Sequence, residues 1–305
     1  MIITIIGYTP ASINTFRYLI VPLEQEGFIV NKVLMHPYGE DLWGIDHKDI
    51  SGYTKEEINN YLTTEIGGSD LVLYSLEGGL VDGQVASICK EQGVLSIGNI
   101  FTFWDNSKYQ LLPRFTEGIN PDIVTVTTES IKELLYCEIT SEIEVWGNPH
   151  TDRLEGLKEI TDTLNIEQGV VNFFSQPSGT GGYEPPMEKC KEMVGVLNKL
   201  LYEGCIRDII IYVHPREDGS WYESRGFTVK RSNNFIDSML SEYIVSVSST
   251  MLYEGLLVGK KGFKYSDTFY EDFKNKKYTS YSISLGDSVD LWVEGIKSLL
   301  EYTRY

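Results

Sequence analysis

The stretch GVVNFFSQPSGTGGYEPPMEKCKEMVGVLNKLLYE, residues 169–203, decides how the chain is read. Gly169–Ser175 is a short continuous apolar run, the pattern of a strand covered on both faces. Residues 176–186 form the most Gly- and Pro-dense segment of the sequence. From Met187 to Glu203 apolar residues recur at helical spacing. A strand, a loop and a helix open an α/β unit, and here that opening occurs for the second time.

The first occurrence is at the start. Ile2–Ile6 is an apolar run ending at Gly7, and the loop Tyr8–Asn14 comes next, with Pro10 and Ser12 as start signals for a helix to about Glu26. Strands are expected at Phe28–Met35, Asp70–Ser75, Val94–Ile97, Asp122–Thr127 and Ile143–Trp146, with helices near 54–65 and 84–92 and a short one after Ser130. Residues 36–53 read as loop. After residue 187 the strands are Asp208–Val213, Phe227–Lys230 and Tyr243–Val247, and the helices Asn234–Ser241, Met251–Val258 and Ser288–Tyr302. Strands separated by helices imply right-handed crossovers and parallel sheets. The expected fold class is therefore α/β. Two Rossmann-like, doubly wound domains, 1–150 and 168–305, are joined by a linker within 148–168 and face a central cleft.

Composition narrows the function. The 305 residues hold 26 Lys plus Arg against 44 Asp plus Glu, a formal net charge of −18. General nucleic-acid or membrane-surface binding needs the opposite sign. No stretch approaches a membrane span of about 20 apolar residues. The N-terminal run lacks a basic leader, so a cytoplasmic location is expected. Cys89, Cys137, Cys190 and Cys205 show no zinc spacing and read as reduced thiols. No metal cluster is expected.

Three loops after strands of the second half suit a phosphate. Ser178, Gly179, Gly181 and Gly182 lie in a small-residue loop ahead of a helix, where backbone N–H groups can cradle an anion. His214 and Pro215 end the strand DIIIYV. A His there can hydrogen-bond a phosphate oxygen. Ser248, Ser249 and Thr250 come after YIVSV and open a helix; Glu254, about one turn on, can hold ribose hydroxyls.

These motifs carry a resemblance. The His214-Pro215 pair and Ser248-Ser249-Thr250 are similar to the HP and SS/ST motifs of bacterial sialyltransferases, polysialyltransferases and CDP-glycerol glycerophosphotransferases. Asn148-Pro149, within VWGNPHTDRL, resembles the segment closing the N-terminal domain in GT-B nucleotide-sugar enzymes, more distantly including the UDP-N-acetylglucosamine 2-epimerases. The resemblance implies a GT-B fold and a nucleotide-sugar co-substrate with no other cofactor. It implies that His214, Ser248, Ser249 and Thr250 contact the donor phosphates, His214 assisting the departing phosphate.

The sialyltransferases also have an acidic-acidic-Gly motif that supplies a general base. The matching segment here is Leu76-Glu77-Gly78-Gly79, with one acid instead of two, and Asp82 lies just beyond. Glu77 or Asp82 is the candidate base, with Asp105 as a further cleft carboxylate. Thr9, Ser12, Asn14 and Arg17 would border the cleft and meet acceptor or phosphate. The expected activity is metal-independent transfer of a sugar from a nucleotide-sugar donor to a hydroxyl acceptor, a glycan or other polymer. A nucleotide-sugar 2-epimerase or hydrolase on the same fold, and a non-catalytic nucleotide-sugar-binding protein, are the alternatives.

Overall fold

The computed structural model describes residues 1–7, 10–34, 47–50, 52–76, 80–101, 120–136, 138–176, 187–214, 217–231, 235–247, 249–279 and 288–302; of residues 10, 11, 80–82, 155, 250 and 302 it describes the backbone alone. The chain divides into two compact units: Met1–Asp152 with Gly286–Tyr305, and Arg153–Leu285.

The first unit is built on seven parallel strands: β1 (Ile2–Gly7), β2 (Ile29–Leu34), β3 (Lys48–Asp49), β4 (Leu71–Ser75), β5 (Leu95–Ile100), β6 (Ile123–Val126) and β7 (Glu142–Val145). Their order is β3-β2-β1-β4-β5-β6-β7, every neighbour parallel. Both faces are covered, which is why the strands read as unbroken apolar runs rather than alternating ones. Ile3, Ile5, Leu71, Leu73 and Ile97 pack on one side with α1 (Pro10–Gln25). Ile6, Val72, Tyr74, Ile100 and Val124 pack on the other, with α2 (Lys55–Gly67), α3 (Leu80–Gln92) and α4 (Glu129–Leu135). The start of α2 is a capping box: the Glu57 amide donates to Thr54 Oγ1 (3.3 Å) and the Thr54 amide to Glu57 Oε2 (2.8 Å).

The second unit has five parallel strands, β8 (Glu167–Phe174), β9 (Asp208–Tyr212), β10 (Thr228–Lys230), β11 (Ser241–Ser246) and β12 (Lys261–Lys264), in the order β10-β9-β8-β11-β12. This is the order of the first five strands of the first unit. One face carries a core of Val171, Phe173, Ile209, Ile211, Val245 and Phe263 against α6 (Met187–Tyr202) and α10 (Phe269–Lys274). Short helices α7 (Ser220–Glu223) and α8 (Phe235–Ser238) flank β10 in sequence, and α9 (Thr250–Leu257) comes after β11.

Two boundaries differ from the sequence expectation. The segment expected as a linker is the helix α5 (Pro149–Thr163), within which the chain passes from one unit to the other. Asn148 starts it: its Oδ1 accepts the His150 amide (2.9 Å), and Pro149 takes the first helical position, where no donor is needed. The last helix, α11 (Ser288–Tyr302), belongs to the first unit, not to a 168–305 domain. Its apolar stripe of Trp292, Val293, Ile296 and Leu300 joins the core over α1. Trp292 meets Phe16 and Trp146 edge-on, at 6.0 and 5.0 Å between ring centroids. A Cβ on Gly295 would collide with the Trp146 ring, so this glycine sets how closely α11 lies. The Val289 amide donates to Asp152 Oδ2 (2.8 Å), and Lys297 bridges Glu26 (2.9 Å) and Glu294 (3.1 Å).

Candidate functional site

In the second unit the strand order reverses between β8 and β11. Ligands of open parallel sheets bind outside the carboxyl ends of the strands at such a reversal. Two buried serines organise those ends. Ser246, the last residue of β11 and fully buried, donates its hydroxyl to the Phe174 carbonyl (2.9 Å) and accepts the Ser249 amide (3.0 Å). Ser249 in turn caps α9, its hydroxyl accepting the Met251 amide (3.3 Å). No acidic residue lies in the first turn of α9, so the partial positive charge of its start is not met by the helix itself.

Ser175, just past β8, plays the matching part toward β9. Its amide donates to the Tyr212 carbonyl (3.0 Å), and its hydroxyl accepts the His214 amide (3.3 Å) and donates to the Glu217 carboxylate. His214, expected from the sequence, is half-buried at the end of β9. Glu217 is 9% exposed. Burial pushes its carboxyl above the usual carboxylate range, with the Ser175 hydrogen bond partly offsetting this. Burial, and then the Glu217 charge, push the neighbouring Tyr222 phenol far up. Burial likewise raises the Cys190 thiol to about 11, so it is a neutral packing group rather than a nucleophile. Glu254 is 8% exposed on α9.

His214 thus lies two residues past β9, Ser249 three residues past β11 as the cap of α9, and Glu254 on α9 itself; the Ser175 hydroxyl holds the His214 amide and the Ser246 hydroxyl the Ser249 amide. The side chain of Thr250 lies outside the described residues, as do Ser178, Gly179, Gly181, Gly182, Pro215 and Ser248. Ser175, Glu217 and Ser246 were not anticipated. The available signals were a serine at the end of an apolar run and an acid three residues past a strand-end His. Neither has a distinctive spacing.

In the first unit Glu77, Asp105 and Thr9 lie outside the described residues, and Asp82 is described only as part of the α3 backbone. Ser12 and Asn14 belong to α1, which starts at Pro10, rather than to a preceding loop. Ser12 is fully buried, and Asn14 half-buried. The Arg17 guanidinium sits 4.8 Å from the Tyr18 ring centroid, and that ring stacks on His150 (5.8 Å, 28° between planes). The stack joins α1 to the start of α5. Among the described residues no group of three or more His, Cys, Asp and Glu gathers as a metal site, and no helix is long and apolar enough to cross a membrane.

Comparison with solved structures gives this architecture a counterpart. The UDP-GlcNAc 2-epimerase of Methanocaldococcus jannaschii, in complex with UDP-GlcNAc and UDP, superposes with a TM-score of 0.66 at 14% identity, covering 98% of this chain and 93% of that one. The Neisseria meningitidis UDP-GlcNAc 2-epimerase bound to UDP-GlcNAc gives 0.60 at 15% identity, covering 100% and 93%. The S. aureus MnaA–UDP structure gives 0.65 at 13%, covering 99% and 88%. The fold is that of the UDP-GlcNAc 2-epimerases. The likeness runs the length of the chain and is to the more distant of the two groups that the motifs resemble. No family model matches the sequence, and no curated protein matches it.

Proposed function

We propose that this protein is a nucleotide-sugar enzyme that holds the nucleoside diphosphate of its substrate at the strand ends of the second unit. The observation that carries the reading is that His214 and the Ser249-capped start of α9 come after the two strands that flank β8, each with its backbone amide fastened by a buried serine hydroxyl. The α9 amides and the Ser249 hydroxyl, which keeps its proton as a cap acceptor, donate to phosphate oxygens. His214 donates to the phosphate that carries the departing charge. Glu254 accepts from the ribose hydroxyls. Ser248, Thr250 and the 178–182 glycine loop extend the same cradle.

The substrate class is UDP-GlcNAc or a close relative, on the strength of a fold shared over the whole chain with proteins crystallised with UDP-GlcNAc or UDP. That same likeness supports 2-epimerisation or hydrolysis, reactions that consume donor with no acceptor. Glycosyl transfer is the second reading, favoured by the acid-Gly-Gly segment at Glu77. Glu77 or Asp82 takes the proton of an acceptor hydroxyl, the oxygen bonds to the anomeric carbon, and the bond from that carbon to the diphosphate breaks with its electron pair leaving on UDP. Either way the developing charge falls on donors the chain supplies, so activity is expected to survive chelation of divalent metals.

The test is incubation with UDP-GlcNAc, with and without a glycan acceptor and with and without EDTA, with NMR of the sugar and assay of UDP as the readouts. A 2-epimer or free sugar without acceptor supports the first reading; UDP release only with acceptor supports transfer. UDP binding with no turnover in any arm leaves a binding protein. No binding of any nucleotide ends the proposal.

A further inference from the structure

The His214 turn is closed into a ring. The Glu217 amide donates to the His214 carbonyl (2.9 Å), the His214 amide donates to Ser175 Oγ (3.3 Å), and the Ser175 hydroxyl donates to the Glu217 carboxylate. Each bond of the ring leaves the next group its correct role: Ser175 spends its one proton on Glu217 and so has only lone pairs to offer the His214 N–H. The ring is anchored on both sides. The Ser175 amide holds the Tyr212 carbonyl (3.0 Å), and Arg231 Nη1 donates to the Glu217 carbonyl (2.9 Å). Directly after it, Gly219 adopts φ +76, which lets the chain turn into α7 where a Cβ would press on Val213 and Arg231.

A tight turn needs none of this. The backbone bond from Glu217 to His214 forms with any residue at 217, and a carboxyl brought under Tyr222 and Cys190 carries a desolvation cost that an apolar or exposed side chain would not. The groups around it are Ser175 past β8, Cys190 on α6, Asp218 beside it in sequence, and Tyr222 on α7. Ser175 bonds Glu217 and the His214 backbone at once. We propose that Glu217 is a positioning residue: through Ser175 it locks the backbone at His214, and so fixes where the imidazole meets the substrate phosphate. This rests on the proposed contact between His214 and the substrate phosphate.

Two measurements on the whole chain test it, one of them without ligand. Hydrogen exchange at the His214 amide reads the ring directly; calorimetry with UDP reads its use. Glu217→Ala is expected to speed His214 amide exchange and to weaken UDP binding, each about tenfold, the size of one well-placed hydrogen bond. Glu217→Gln keeps an acceptor for Ser175 and is expected to restore binding to within about threefold of wild type. In a His214→Ala background, Glu217→Ala should add less than about a factor of two, because its effect passes through His214. Should Glu217→Ala fail to fold, Ser175→Ala removes the bridging hydroxyl with little change of volume and carries the same expectations.

Unchanged UDP binding in Glu217→Ala, or an equal loss with and without His214, overturns the positioning role. Wild-type protein that binds no UDP overturns the reading of the site instead, while exchange at the His214 amide still decides whether the ring exists.

Discussion

β4 and β11 occupy the same place in two sheets of the same order, each next to the strand that opens its unit. The sequences after these two strands differ. After β11 the chain reads Val247-Ser248-Ser249-Thr250 and enters α9 with hydroxyls; after β4 it reads Leu76-Glu77-Gly78-Gly79 and enters α3 with an acid and two glycines. A hydroxyl-capped helix start invites an anion. An acid at the same place repels one but can accept a proton. The second strands are closer kin. His36-Pro37 comes after β2 as His214-Pro215 comes after β9. The two sheets thus share a strand-end His-Pro and differ in sequence at the reversal. On the proposed reading, that difference separates a sequence suited to holding an anion from one suited to accepting a proton.

The contrast can be tested where it is largest. The two units differ in how they are completed, the first by the remote helix α11 and the second by contiguous chain. Trp292→Ala should therefore destabilise the first unit by roughly 3–5 kcal/mol, the usual cost of deleting a fully buried aromatic. In a calorimetric melt an early transition should separate while the second unit keeps its own. A single transition shifted as a whole would remove the distinction. His214→Ala acts on chemistry instead. On the proposed reading, turnover of the nucleotide sugar should fall on the order of 10²–10³, roughly 3–4 kcal/mol in the transition state, with a smaller loss of UDP affinity. A folded variant of near-normal turnover would take the anion role away from the second unit.

Smaller effects distinguish one helix start from another. Thr128, at the head of α4, accepts the Ile131 amide (3.4 Å), much as Ser249 serves α9. Thr128→Ala and Ser249→Ala should each cost about 1 kcal/mol of stability. Only the second should also weaken UDP; equal affinities in both would return Ser249 to an ordinary cap. The gentlest probe is pH. Burial raises the Glu217 carboxyl, so the folded chain holds that proton more tightly than the unfolded chain does. The resulting stability is present below the ordinary carboxylate range, near about 4.3, and lost as pH rises through the raised value. Glu217→Gln should accordingly melt higher than wild type at neutral pH. That advantage should shrink on acidification; one independent of pH would contradict the shift.

The long strands were legible because both their faces are buried: IITIIG, LVLYS, VVNFF and DIIIY leave little else for such runs to be. β3 and β12 were not. β3 has two residues, and β12, KGFK, buries only Gly262 and Phe263 between exposed lysines, too short to show a period. The stripe on α11 was legible as buried, but periodicity says that a face is covered and not by what, so its place against α1 had to come from the structure. His214, Ser249 and Glu254 were found because strand ends are where such folds bind ligands. Ser175, Ser246 and Glu217 escaped because a single polar residue next to a core run has no pattern of its own. Their meaning lies in partners 3 to 72 residues away.

The passage of the chain through α5 and back at residue 286 also has a consequence in time. A ribosome delivers all of Arg153–Leu285 before it delivers Trp292, whose indole N–H bonds the Gly147 carbonyl across 145 residues of sequence. The second unit, begun later, can finish first. Phe16, Trp146 and the apolar side of α1 must wait for α11, and until it arrives they are uncovered surface on a nascent chain. The larger unit is thus the one exposed to aggregation during synthesis, and the one for which a chaperone would matter.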